Sequence, residues 1–179
     1  MKKLSLIKTI DELALPVILI VAARYLGIFI SAFLTPVKYS FSTNYDLLSA
    51  PFVKFVENTD LFAANSFSWL ITSLLVAFIS GFVAFRNLYL HEDWLHPKQA
   101  RHIYKQRLDH FIINANEAFH QGISWFIIAV LILALSIAEF ISGALSTLAF
   151  GFTISVSTVL IFLFWRSLQR EIRLDRKEK

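Results

Sequence analysis

Four stretches of nearly unbroken apolar residues divide the chain, and segments rich in polar and charged residues separate them. They run over residues 13–34, 67–86, 123–142 and 145–165. Each is close to the ~20 residues that a helix needs to cross a hydrocarbon core of ~30 Å. A helix closes its own backbone hydrogen bonds, so it is the default form for such a segment in lipid. Soluble core helices usually keep a polar stripe, whereas, apart from Arg86 at the end of the second run, only Arg24 and Glu139 are charged within the four apolar runs. The pattern predicts an all-α integral membrane protein. Its architecture would be a four-helix transmembrane bundle forming a single membrane domain over residues 1–179. Lys2, Lys3 and Lys8 precede the first run much as in a secretory signal. Its apolar stretch is longer than the roughly 7–15 residues of a signal core, and no A-x-A-like site follows. It reads as a retained span.

In lipid, small residues mark where helix backbones approach. Each span carries such residues at four-residue spacing: Ala23, Gly27 and Ser31; Ser73, Ala77 and Gly81; Ala134, Ala138 and Ser142; Thr147, Gly151 and Ser155. Four such stripes predict a closely packed bundle. Spans three and four are joined by Ser142-Gly143-Ala144, too short for anything but antiparallel neighbours. The outer loop, 35–66, is apolar enough to lie on the interface or cap the bundle. The inner loop, 87–122, holds a 3/4-spaced stripe of Tyr104, Leu108, Phe111, Ala115, Ala118, Gly122 and Trp125. Pro97 suits a first helical position. This predicts an amphipathic helix that runs into span three or bends at Gly122 to lie on an anionic membrane surface. The tail, 166–179, would prolong span four as a charged cytoplasmic helix.

Composition sharpens the picture. Hydrophobic residues make up 56 % of the chain and charged residues 17 %, against about 25 % charged in an average soluble domain. The absence of cysteine removes disulfide scaffolds, thiolate zinc sites and iron–sulfur clusters. The N-terminal segment carries three basic residues, the inner loop with Arg86 five and the tail six. The outer loop has only Lys38 and Lys54. Positive residues stay inside, so both termini and the inner loop are expected in the cytoplasm. Trp69, Trp125 and Trp165 stand where interfacial aromatic belts would place them.

Two groups of residues carry candidate chemistry. All five histidines, His91, His96, His102, His110 and His120, lie in the inner loop with Glu92, Asp93, Asp109 and Glu117. Imidazole and carboxylate are ligands of Zn, Fe and Mn. Glu117 and His120 form a Glu-x-x-His pair, which shares one helical face; His91 and His96 would close the site. A diiron bundle needs two such pairs and this chain has one, so a solvated, His-rich loop without metal is the competing expectation. The second group is Arg24 and Glu139. An ionisable residue at such depth costs roughly 2.5–3.5 kcal/mol on insertion scales and is usually paired. Counted from the inner face at 1.5 Å per residue, the two differ in depth by roughly 8 Å, within reach if the helices tilt. They are expected to form an intramembrane charged pair.

Several classes drop out. Span four lacks the regularly spaced arginines of a voltage sensor, no span has two histidines for a haem, and none has a lysine for retinal. P-loop, G-x-S-x-G and H-E-x-x-H motifs are absent. The expected function is a non-catalytic membrane subunit or scaffold. It would have no cofactor and no nucleic-acid partner, and would pair with copies of itself or other membrane subunits in the bilayer. A small channel or transporter using Arg24 and Glu139 is the first alternative. A metal-dependent membrane enzyme built on the His-rich loop is the second.

Overall fold

The apolar runs all become helix in the computed structural model, and every one of those helices is longer than its run. The structure describes residues 6–34, 39–41, 53–55, 57–91, 97–108 and 111–177. Helix α1 spans Leu6–Leu34, α2 Asn58–Tyr89, α3 Pro97–Lys105, α4 Ala115–Ile141 and α5 Thr147–Lys177. Among the described residues, four helices are long and apolar enough to cross a membrane: α1, α2, α4 and α5. Two short strands, β1 (Tyr39–Phe41) and β2 (Val53–Phe55), pair antiparallel within the predicted outer loop, with Ser40 opposite Lys54. The intervening residues 42–52 lie outside the described residues.

The polar residues around the apolar runs are helix signals. Asp60 in the first turn of α2 complements the positive end of the helix dipole, so α2 begins nine residues before the predicted span. Asn114 caps α4, its Oδ1 accepting from Glu117 N–H at 2.9 Å. A side-chain acceptor for an orphan N–H fixes a helix start. That cap corrects the predicted continuous amphipathic helix. Helix α3 ends at Lys105 with Arg107 at a φ of 55°. Its end is closed by Leu108 N–H donating to Ile103 O and Arg107 N–H to Tyr104 O, both at 3.1 Å. This is a Schellman end with an arginine in the left-handed position that glycine usually takes. The bend expected at Gly122 does not occur, since Gly122 lies inside α4. The same closure recurs at the end of α4: Gly143 at φ 73°, Ala144 N–H to Glu139 O and Gly143 N–H to Phe140 O. There glycine accepts the left-handed angle at little cost, and α5 can start four residues later.

The described chain divides into two units. The terminal unit comprises Met1–Val17, Ala77–Val130 and Thr158–Lys179; the turn unit comprises Ile18–Val76 and Leu131–Ser157. The turn unit has a core of small and hydroxyl-bearing residues. Ala23, Ser31, Ala64, Ser68, Thr72, Ser73, Ser136, Ala149 and Thr153 are all buried. Gly27 seats α1 against α2 so closely that a Cβ there would lie 2.6 Å from Ser68 Cα. The terminal unit buries Ile113, Ala118, Ile128, Ala129, Leu160 and Phe164. Its helices are also tied by Ile113 N–H donating to Leu90 O at 3.1 Å. Large apolar side chains point outward in both units, with Phe78 and Ile141 each 78 % exposed. Small polar residues inside and phenylalanine and isoleucine outside invert the soluble pattern and suit helices surrounded by lipid.

Two of the four expected small-residue stripes do not face the core. Ala134 and Ala138 on α4 and Ser142 just past its end are exposed, as are Thr147, Gly151 and Ser155 on α5. The buried line of α5 is instead Ala149, Thr153 and Ser157, a stripe of equal spacing two positions away. Thr153 earns its place by a hydrogen bond between its hydroxyl and that of Ser73, 2.8 Å apart.

Candidate functional site: a carboxylate held by three helices

Glu139 stands on α4 one turn before the Gly143 closure, and both its oxygens are engaged. Oε2 accepts from Trp69 Nε1 at 2.6 Å and from Asn65 Nδ2 at 2.7 Å. Oε1 lies 3.3 Å from Arg24 Nη2. Asn65 and Trp69 are one turn apart on α2, so both reach the same carboxylate. Asn65 is the hub. Its Nδ2 also donates to Ala144 O at 2.7 Å, and its Oδ1 accepts from Arg24 Nη2 at 2.6 Å. The Arg24 guanidinium also stacks 4.5 Å from the Trp69 ring centroid, within cation–π range. Ser68 Oγ donates to Arg24 O at 2.7 Å, and Ser146 N–H donates to Ser66 Oγ at 2.9 Å. Every one of these contacts lies within the turn unit.

The two charges named from the sequence thus meet, but through a partner that the sequence reading placed in a loop. Asn65 fell in the predicted outer loop, two residues before the predicted span, whereas α2 begins at Asn58 and includes it. Trp69, expected in an interfacial belt, is 1 % exposed. A buried indole N–H needs an acceptor, and Glu139 supplies it. Trp125 is likewise buried, whereas Trp165 faces outward. The available signal was the spacing of Asn65, Ser68, Trp69, Thr72 and Ser73, hydrogen-bonding groups at three and four residues along one face.

The histidine candidates separate in the terminal unit. His91 is fully buried, and its Nε2 lies 3.1 Å from Glu171 Oε1 on α5. Glu117 is paired with Arg86 Nη2 at 2.8 Å and accepts from Gln121 Nε2 at 3.1 Å. His120, on the same helix, is 2 % exposed. His102 is exposed and lies 3.1 Å from Gln106 Nε2. His96 and His110, with Glu92, Asp93 and Asp109, lie outside the described residues. Among the described residues no group of three His, Asp or Glu side chains is placed to hold a metal ion. The expectation of a solvated loop is corrected for His91 and His120, which are core residues. Glu171 was not foreseen at all, because in the sequence it is one charge among many in the tail.

No family model, curated protein or solved structure matches this chain.

Proposed function

We propose that this chain is a non-catalytic subunit or scaffold of a membrane complex, with both termini and the His-rich segment in the cytoplasm. One observation carries the reading: both oxygens of Glu139 are committed to side chains of α1 and α2. A transport carboxylate must release its partners to take up cargo or protons. This one is bonded as a clamp between helices, and its partners Arg24 and Asn65 are bonded to each other as well. A buried polar network with its members satisfied rigidifies and specifies one packing. The outward-facing small stripes Ala134, Ala138, Ser142 and Thr147, Gly151, Ser155 support helix contacts with a second copy or another membrane subunit, since small residues permit close approach in lipid.

The test pairs two measurements. Cross-linking in native membranes followed by gentle detergent extraction should give a discrete higher-mass species. Liposomes holding the purified chain should show no proton or ion flux above empty vesicles. Flux that Glu139→Gln abolishes while the protein stays folded would replace the scaffold with the transporter. Stoichiometric zinc or iron on purified protein would replace it with the metal enzyme.

A further inference from the structure

The terminal unit carries a groove of about 500 Å³ between α1, α2 and α4, within the roughly 300–1,000 Å³ usual for ligand pockets. Its walls change character in one direction. On α1, Glu12 opens the apolar segment and Leu15 follows a turn further in. On α2, Arg86 stands near the helix end and Val83 lies a turn further in. On α4, Gln121 precedes Trp125 by one turn in the same sense. Three helices therefore each present a polar group at the outer end of the groove and an apolar one a turn deeper. That is the polarity of an amphiphile at the level where headgroups give way to acyl chains.

The polar end carries both signs. Glu12 brings a carboxylate and Arg86 a guanidinium. Arg86 Nη2 is taken by Glu117 and Gln121, and its Nε is buried without a hydrogen-bond partner among the described residues. A purely anionic headgroup would meet Glu12; a purely cationic one would meet Arg86. We infer that the groove seats one glycerophospholipid whose headgroup holds both a phosphate and a primary ammonium. The phosphate lies toward Arg86 and the ammonium toward Glu12. One acyl chain starts along Leu15 and Val83. The volume holds a headgroup and the upper part of a chain, not a whole lipid, so the rest of the molecule stays in the bilayer. The site goes beyond the subunit reading and does not depend on it.

The experiment is native mass spectrometry of the full chain in detergent, titrated separately with phosphatidylethanolamine and phosphatidylglycerol of matched acyl chains. A single ethanolamine lipid should be retained per chain. Its preference over the glycerol lipid should be about twofold to fivefold, the size of one half-exposed ionic contact. Val83→Trp should fill the groove and abolish retention. Leu15→Trp, on the opposite wall, serves the same purpose should the first variant fail to fold. Glu12→Gln should keep lipid bound but erase the preference. Retention that neither tryptophan variant lowers would overturn the site. Equal or stronger binding of the glycerol lipid to the unaltered chain would overturn the headgroup assignment, and with it the proposal.

Discussion

Arg24→Met and Glu139→Gln, made singly and together, test whether the charged pair holds the turn unit. Nη2 and Oε1 are 3.3 Å apart. Coulomb's law at an effective dielectric of 20 gives roughly 5 kcal/mol of attraction at that distance. Desolvation offsets much of this, as in any pair taken partly out of water. Neither side chain is sealed, since 22 % of Arg24 and 30 % of Glu139 remain open. A fully buried pair loses roughly 3–5 kcal/mol when one partner is removed; here each single variant should lose about 2–3 kcal/mol. Arg24→Met leaves the carboxylate with its Trp69 and Asn65 donors, so an isolated anion remains. Glu139→Gln leaves the guanidinium with Asn65 Oδ1 and the Trp69 face, so an isolated cation remains. The double variant leaves neither, and should cost less than the sum of the singles by about 1–3 kcal/mol, the usual coupling of residues in one network. The assay is reversible unfolding in mixed micelles, read by circular dichroism. Additivity within about 0.5 kcal/mol, the scatter expected of independent sites, would refute the pair as a structural element.

Three further outcomes follow from the same geometry. Gly27→Ala should destabilise by about 1–3 kcal/mol, an ordinary overpacking cost, because the new methyl meets Ser68 Cα, whereas Gly151→Ala should be tolerated in the isolated chain since nothing lies within 4 Å; equal effects on thermal unfolding would contradict the close approach of α1 to α2. His91→Ala should lower stability by about 2 kcal/mol or more, by removing the imidazole that lies 3.1 Å from the buried Glu171 carboxylate, and purified protein should show no stoichiometric metal by elemental analysis before or after the change. Single cysteines at the N-terminus, Lys98 and Lys179 should be shielded from a membrane-impermeant maleimide in right-side-out vesicles, and one at Asn58 labelled; protection at Asn58 would overturn the charge argument for orientation.

The length of the helices was only partly legible. Hydropathy finds the apolar part of a helix, and it located two of the helix ends: Leu34 ends both the first apolar run and α1, and Gly143 closes α4 as its turn implied. It misses turns made of polar residues. Asn58–Ser66 reads as loop by composition, yet an acidic first turn continuous with an apolar run is a helix start. Asn114 followed by Glu117 is the same kind of signal, an Asn cap with an acid at the third position. It was hidden because Phe111, Ala115 and Ala118 happened to keep a 3/4 spacing across the break. Stripe register failed for a different reason. Both Thr147-Gly151-Ser155 and Ala149-Thr153-Ser157 fit small-residue packing, and spacing alone does not say which faces inward. The Ser73 hydroxyl opposite Thr153 decides it, and that is a relation between helices.

The candidate site shows the same division between what one helix encodes and what a pair of helices decides. Arg24 and Glu139 were conspicuous because a charge in an apolar run is expensive on its own helix, whatever surrounds it. Asn65 carries no charge and sits in a polar stretch, so only its three- and four-residue spacing to Ser68, Trp69, Thr72 and Ser73 marks it. Its importance comes from valence. A neutral amide has two donors and two acceptor sites, and Asn65 uses them on Glu139, Ala144 and Arg24 at 2.6–2.7 Å. Neither charged residue could take that place, since an arginine has no acceptor and a carboxylate no donor. Asn65→Leu should therefore cost at least as much as removing either charge, about 2–4 kcal/mol for the lost charge-assisted bonds. Asn65→Asp tests the valence argument directly. It keeps the size and the acceptor for Arg24 but loses both donations from Nδ2, and sets a second carboxylate beside Glu139. If Asn65→Asp proved as stable as the unaltered chain in mixed micelles, the amide would be a spectator, and Arg24 and Trp69 would hold Glu139 without it.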